Sequence, residues 1–497
     1  MMGFLSQIGN VLQLDMMLFL VAGVVYGLII GILPGLGGSI AMALLIPLTF
    51  SLTPEQAIVL LISAYGASNF GGSLTSILIN TPGDASNAAT AFDGFPLAKQ
   101  GKAGMAIAAA MVASALGGII GLVVLNFMIP VARKLILAFS YPEFFMLAIF
   151  GLTIIAVVTT GSLFKGLISG LIGLMFAYIG TDPIMGSDRF TFGMEYLWDG
   201  IPLLAVIIGM FGITEAFSLF NQNKSIAGEV HVKKGGTWHG IKSVFQNFWL
   251  FLRSCFIGIY LGMIPGVGGT VASFMAYGTA VQMSKDKDKF GKGAIEGVIA
   301  VEAANDSKEG GNLLPTLAFG IPGGASMAVL IGGLMIHGLT PGPDMLTNNL
   351  PTTYFLIAAA IVAKIVAMII GLFLGPKLVF VTKIRGSIMA PAIITVSLVG
   401  AFGTDGKFGD IMVALLFGII GYFMMKYGYS RIALIIALVL GKLMESSYHQ
   451  TMATFGPEGF VTRPIALTLV LLTVISLIWH FIKKMKKRNQ LKGELAA

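Results

Sequence analysis

Apolar runs of about twenty residues recur along the whole chain, separated by short polar breaks. A run of that length crosses the hydrocarbon core of a bilayer as one helix. The pattern predicts helices over 14–33, 39–50, 55–67, 105–126, 143–161, 164–180, 196–213, 245–264, 270–283, 294–304, 324–337, 352–375, 387–402, 408–425, 429–443 and 463–482. Several are too short to cross. These flank Gly/Pro-rich breaks and read as half-helices or re-entrant arms. The first run, Leu14 to Leu33, has no basic leader and no clear small-residue cleavage site, so it is expected to be a retained helix. The fold class is all-α and polytopic.

The breaks are the chain's most specific feature. Gly31-Ile-Leu-Pro-Gly-Leu-Gly-Gly38 returns as Gly262-Met-Ile-Pro-Gly-Val-Gly-Gly269. Further on, Asn69-Phe-Gly-Gly-Ser73 and Asn80-Thr-Pro-Gly-Asp84-Ala-Ser86 are matched by Asn305-Asp-Ser307, Gly310-Gly-Asn312 and Gly320-Ile-Pro-Gly-Gly324-Ala-Ser326. Gly31 and Gly262 stand 231 residues apart, Pro82 and Pro322 240 apart. The extra residues of the second half fit the charged insert Lys285–Lys292. Pro-Gly interrupts the self-satisfied backbone of a helix, and such backbone survives at membrane depth only where protein or a cavity surrounds it. Matched breaks in two halves point to a transporter's substrate site.

Charge sets an orientation. Lys224, Lys233, Lys234 and Lys242 of segment 222–244 are placed in the cytoplasm, with Lys99, Lys102, Lys165, Lys377, Lys383, Arg385, Lys426, Arg431 and the tail 483–488. The loops around Asp182, Asp188 and Glu195, 341–349 and 404–407 are placed outside. Arg133 and Lys134 do not fit the alternation and are assigned to a short interfacial segment. Span 105–126 then runs outward and its counterpart 352–375 inward, which makes the repeat one of inverted topology. The expected organisation is a first repeat 1–221, a cytoplasmic linker 222–244, a second repeat 245–462, and a final helix with basic tail 463–497.

Composition agrees: 56% of the 497 residues are hydrophobic and 11% charged, against about 25% charged in soluble domains. The 65 glycines suit close helix packing. The net charge of +8 follows the loops and tail and does not suggest nucleic acid. Cys255 is the single cysteine, which excludes an internal disulfide and a thiolate cluster.

The motifs suit an anion. A helix restarting after a break has unpartnered N–H groups and a partial positive charge, which a carboxylate satisfies. The candidate substrate residues are Gly35, Gly37, Gly38, Ser39, Asn69, Ser73, Thr75, Asn80, Thr81, Pro82 and Gly83, against Gly266, Gly268, Gly269, Thr270, Asn312, Thr316, Pro322, Gly323, Gly324 and Ser326. Their hydroxyls and amides are neutral donors that bury no fixed cation. Helix capping is the competing role for any one of them. Asp84, Asn305 and Asp306 are candidates for a coupling ion, since an ionisable group at membrane depth is costly. The competing placement for Asp84 is a helix cap, and for Asp306, Lys308 and Glu309 a wet loop. His231, His239, His337, His449 and His480 show no metal-ligand spacing, and Trp198, Trp249 and Trp479 stand near span ends. No metal site beyond Na⁺ is expected.

These motifs, with the stretch Tyr65 to Gly104 and Asn312-Leu-Leu-Pro-Thr-Leu-Ala-Phe-Gly-Ile-Pro-Gly-Gly-Ala-Ser326, resemble the large permease subunit of the tripartite tricarboxylate transporter family over essentially the whole chain. The resemblance implies a bacterial inner-membrane protein of about twelve spans with a cytoplasmic C-terminus. It implies two partners, a small four-helix membrane subunit and a periplasmic substrate-binding protein. It implies import of a small, citrate-like carboxylate by alternating access of the elevator type, coupled to a Na⁺ or H⁺ gradient, with no other cofactor. The alternative is the permease of an ATP-driven or channel-like uptake system. The chain carries no Walker A sequence, no His-Glu-x-x-His motif and no Gly-x-Ser-x-Gly elbow, so an enzyme is not expected.

Overall fold

The computed structural model describes residues 2–33, 35–159, 163–182, 186–220, 236–378 and 386–478. Outside them lie Pro34 of the first motif, most of the 222–244 segment with Lys224, His231, Lys233 and Lys234, then Lys383 and Arg385, and Trp479, His480 and the basic tail. The chain is overwhelmingly helical; among the described residues the strand pairing is a two-residue antiparallel ribbon, Gly180–Thr181 with Asp188–Arg189.

Seven described helices are long and apolar enough to cross a membrane: Leu14–Ile32, Pro54–Ile79, Ala103–Leu137, Leu203–Phe220, Leu350–Leu374, Phe408–Tyr427 and Arg431–Thr454. A bent pair, Thr237–Gln246 and Phe248–Gly262, meets at 76°. Shorter apolar helices are Gly38–Thr49, Tyr141–Ile155, Leu163–Ala177, Ala325–Ile336, Ile388–Gly403 and Pro464–Ile478.

The chain divides into two compact units, Met1–Arg133 with Leu204–Tyr422, and Lys134–Leu203 with Phe423–Ala497. Each half of the sequence contributes to both. In the smaller unit, Leu163–Ala177 packs on Arg431–Thr454, and Arg463 Nε donates to the buried Glu143 carboxylate at 2.6 Å. Arg189 forks onto Glu445 through both terminal nitrogens, at 2.5 and 3.0 Å, and these bonds hold its guanidinium pKa above the usual value.

The larger unit contains both motif sets. Ten of its helices position them: α1 (Leu14–Ile32), α2 (Gly38–Leu45), α3 (Pro54–Ile79), α4 (Ala91–Lys99), α5 (Ala103–Leu137), α6 (Phe248–Gly262), α7 (Gly268–Met283), α8 (Ile295–Phe319), α9 (Ala325–Ile336) and α10 (Leu350–Leu378). The expected breaks between α1 and α2 and between α6 and α7 fall at the Pro-Gly-x-Gly-Gly motifs.

Two expected half-helices are corrected. Segments 55–67 and 294–304 continue as α3 and α8, 26 and 25 residues long, so Asn69–Ser73 and Asn305–Asn312 are helical rather than loop. The wet loop considered for Asp306, Lys308 and Glu309 is likewise a buried helix. The polar residues do not break α3 because its hydroxyls spend protons on earlier carbonyls: Ser76 on Gly72 at 2.9 Å, Ser68 on Tyr65 at 2.8 Å. A capping box of Thr53 and Gln56 starts α3. Left-handed residues end both long helices, Asn80 at φ 55° and Gly320 at φ 67°, just before Pro82 and Pro322.

Candidate functional site

The same contacts recur in the two halves. Gly35 N–H donates to Gly83 O at 2.9 Å, and Gly266 N–H donates to Gly323 O at 3.0 Å. Each bond ties a half's first Pro-Gly break to its second. Gly35 and Gly266 sit at φ 84° and 79°, in the left-handed region that side chains rarely adopt. Neighbouring packing follows the same register: a Cβ on Gly31 would strike Ser68 O, and one on Gly262 would strike Lys308 O. These glycines let α1 seat on α3 and α6 on α8 at backbone distance.

The starts of α2 and α7 are equivalent places with different chemistry. A Cβ on Gly38 would meet Ser68 Oγ and the Tyr65 ring, both at 2.7 Å. A Cβ on Gly269 would meet the Lys308 ammonium and, at 2.8 Å, Asn305 Oδ1. Lys308 is buried and donates to Asn305 Oδ1 at 2.6 Å. The same ammonium lies against Gly269 in the first turn of α7, a 16-residue helix. The expectation that the motifs bury no fixed cation is therefore corrected. Lys308 is tolerated because acidic groups surround it, with Glu309, Asp306 and Asp84 all in electrostatic range.

The halves meet along α3 and α8. Asn69 Nδ2 donates to Glu309 Oε1 at 2.7 Å. Lys364 of α10 forms ion pairs with Asp306 and, at 2.9 Å, with Glu309 Oε2; all three side chains are no more than 3% exposed. Glu302 is fully buried and takes hydroxyls from Ser73 and Ser114, each at 2.7 Å, and from Thr90 at 2.5 Å. Asn87 Nδ2 reaches Ser73 Oγ at 2.9 Å. Asp93 is buried and ties down the segment entering α8 by accepting from Gly293 and Ala294 N–H at 2.9 and 2.8 Å.

The remaining candidates divide. Thr316 Oγ1 donates to Asn312 O at 2.6 Å and accepts from Gly323 N–H at 3.3 Å, beside the Asn312 side chain. Gly37 lies against the Asp84 carboxylate, and Gly83 against Gly31 O and Gly72. Ser39, Thr270, Gly268, Gly324 and Ser326 are half-buried at or beside helix starts, and Pro322 is buried in its turn. Thr75 and Thr81 bond to nearby carbonyls, Gly72 O at 3.1 Å and Ile79 O at 3.2 Å, and Asn80 is an exposed helix cap beside Pro82. Buried Asn305 Nδ2, Asp306 Oδ2 and Asn312 Oδ1 have no hydrogen-bond partner among the described residues. Lys364 was not among the sequence candidates, although a lone lysine within an apolar span carries its own signal.

Broken helices, buried charges and apolar spans define a polytopic membrane protein with a polar centre. The family model of the tripartite tricarboxylate transporter TctA family matches residues 17–436, and the chain belongs to that family. It is thus a membrane subunit of a transporter whose systems also comprise a substrate-binding protein and a small subunit. The chain is 32% identical to an uncharacterized 52.8 kDa protein of the TAR-I ttuC' 3' region of Agrobacterium vitis, covering 90% of this chain and 89% of that one. It is 31% identical to an uncharacterized protein of the TAR-II ttuC' 3' region of the same organism, over 47% of this chain and 98% of that one. No solved structure matches the chain.

Proposed function

We propose that the chain imports a small carboxylate, citrate-like or a related organic acid, as a gradient-driven secondary transporter of the bacterial inner membrane, its C-terminus in the cytoplasm. A periplasmic binding protein delivers the substrate and a small four-helix subunit completes the complex. One carboxylate is held at the start of α7 by its free N–H groups and the Lys308 ammonium, and the equivalent start of α2 offers Ser68 and N–H groups. The observation that carries this reading is the paired placement of Gly38 beside Ser68 and Gly269 beside Lys308. An anion there gains a buried counter-charge that bulk water would screen.

Inverted repeats are supported by the crossing of α3 and α8. Asn69 meets Glu309, while Ser73, further along α3, meets Glu302, further back on α8. Equivalent helices thus run in opposed directions. About twelve crossings are drawn from the seven long helices, the bent pair and the shorter apolar helices, with α8 crossing beside its counterpart α3. The two broken-helix regions belong to the moving part of an elevator cycle.

Reconstitution of the three subunits in vesicles tests the reading. Uptake of labelled citrate is expected to saturate, to need no ATP and to collapse with an ionophore. Uptake that required ATP, or that rose without limit and ignored the ionophore, would refute it.

A further inference from the structure

Five ionisable side chains cluster in the middle of α8 and on the facing α10: Glu302, Asp306, Glu309, Lys308 and Lys364, all buried. Fully ionised, they carry one negative charge too many. Asp306 and Glu309 share Lys364. Lys308 lies beside Asn305 and the start of α7. Glu302 has no cationic partner among the described residues; it is surrounded by three hydroxyls, one each from α3, the start of α4, and α5. An unpaired carboxylate in such a place is costly, and a proton removes the cost.

The geometry points to Glu302 as the carboxyl that takes up a proton with the substrate and gives it up after release. This rests on the carboxylate-transport reading above and assigns its coupling ion. The carboxylate gains one proton from water on the entry side and returns it to water on the exit side. The hydrogen bonds accommodate both states. Ser73 has one hydroxyl proton but two acceptors, Glu302 Oε2 at 2.7 Å and Asn69 O at 3.0 Å. With Glu302 ionised, Ser73 donates to it, and Asn87 Nδ2 still serves Asn69 O at 3.2 Å. With Glu302 protonated, the carboxyl donates to Ser73, and Ser73 turns its proton to Asn69 O.

Oxygen separations of 2.5 to 2.7 Å are hydrogen-bond distances. Hard metal ions hold each oxygen ligand at about 2.0–2.6 Å, which spreads the ligands further apart than this. The contacts as they stand are those of protons shared between oxygens. Substrate arrival at Lys308 adds negative charge to the same helix, so it favours proton uptake at Glu302, as symport requires. The charged or titratable groups on the packed elements are engaged elsewhere: Asp93 of α4 with Gly293, Ala294 and Tyr277 of α7, Lys364 of α10 with the acids of α8, and Glu296 with Lys289. Tyr65 of α3 and Cys255 of α6 are buried, and Asp306 stands one helical turn from Glu302 on α8.

The test measures proton uptake on adding citrate to the weakly buffered full chain in lipid discs, with infrared difference spectra of the same samples. The wild type is expected to take up about one proton per citrate bound and Glu302→Gln about none, since the amide cannot titrate. In spectra taken with minus without citrate, the gain of a protonated-carboxyl band is expected in the wild type and missing in Glu302→Gln. Equal proton uptake by both proteins, or a wild-type spectrum without a carboxyl band that the substitution removes, would overturn the inference. A second infrared series, in which the substrate-free protein is acidified, needs neither citrate binding nor transport. If citrate fails to bind while acid brings up a protonated-carboxyl band in the wild type that Glu302→Gln lacks, the carboxylate reading falls and the assignment of a titrating Glu302 stands; the absence of such a band would overturn it.

Discussion

Asn69 hydrogen-bonds Glu309 at 2.7 Å, and the two residues are counterparts, 240 positions apart, in a chain whose Pro-Gly turns repeat at that same spacing. A residue that touches its own equivalent stands close to the axis relating the two halves. Under the proposed inverted repeat that axis passes between α3 and α8, where the polar and charged side chains are concentrated. Both halves contribute to one centre, and a change in either is felt in the other.

Lys364 keeps that centre together. Replacing it by Met leaves Asp306 and Glu309 buried without a cation, a loss of roughly 3–5 kcal/mol for a buried pair broken from one side. Thermal unfolding in detergent is expected to show a clear drop for Lys364→Met. Adding Asp306→Asn and Glu309→Gln is expected to recover much of it, because the uncompensated charges are then gone.

Gly38 and Gly269 are expected to be intolerant of side chains in transport rather than in insertion. Gly38→Val would drive atoms into Ser68 and Tyr65, and Gly269→Val into Lys308 and Asn305. Uptake by each variant is expected to fall at least about tenfold, which corresponds to about 1.4 kcal/mol, while its level in the membrane stays normal. Normal uptake would argue against a backbone-lined site.

Lys308 and Ser68 occupy equivalent places but differ in charge. Lys308→Met is expected to weaken carboxylate binding more than Ser68→Ala does, because a charge-assisted hydrogen bond is roughly twice as strong as a neutral one. Titration calorimetry of the two variants with the same carboxylate measures the difference.

Gly31→Ala and Gly262→Ala are expected to destabilise the protein, by about 1–3 kcal/mol each, since the added methyl meets backbone oxygen of a neighbouring helix. Similar losses in the two variants are the outcome expected of equivalent packing. Denaturation midpoints of the two purified proteins give the comparison.

The chain's local chemistry was readable where the backbone itself must change course. Pro34-Gly35 and Pro265-Gly266 announce the ends of α1 and α6, and Pro82 and Pro322 the ends of α3 and α8. Asn69, Ser73, Asp306 and Glu309 were misleading, because polar residues in a run suggest a loop when their partners are unseen. Here the partners lie far along the chain, 58 residues for Asp306 with Lys364, 229 for Ser73 with Glu302 and 240 for Asn69 with Glu309, and no local pattern reveals them. Lys364 is a different case: one cation in an apolar span announces a buried acid somewhere, and only the fold says which.

Convergence of the two broken segments on one anion is best tested by substrate protection. With Cys255 replaced by Ser, single cysteines at Ser39 and Thr270 are exposed to a thiol reagent in vesicles containing the full complex, with and without the transported carboxylate. The expected result is protection of both positions over the same range of carboxylate concentration. Protection of one position alone, or of neither while uptake proceeds, would contradict a shared site.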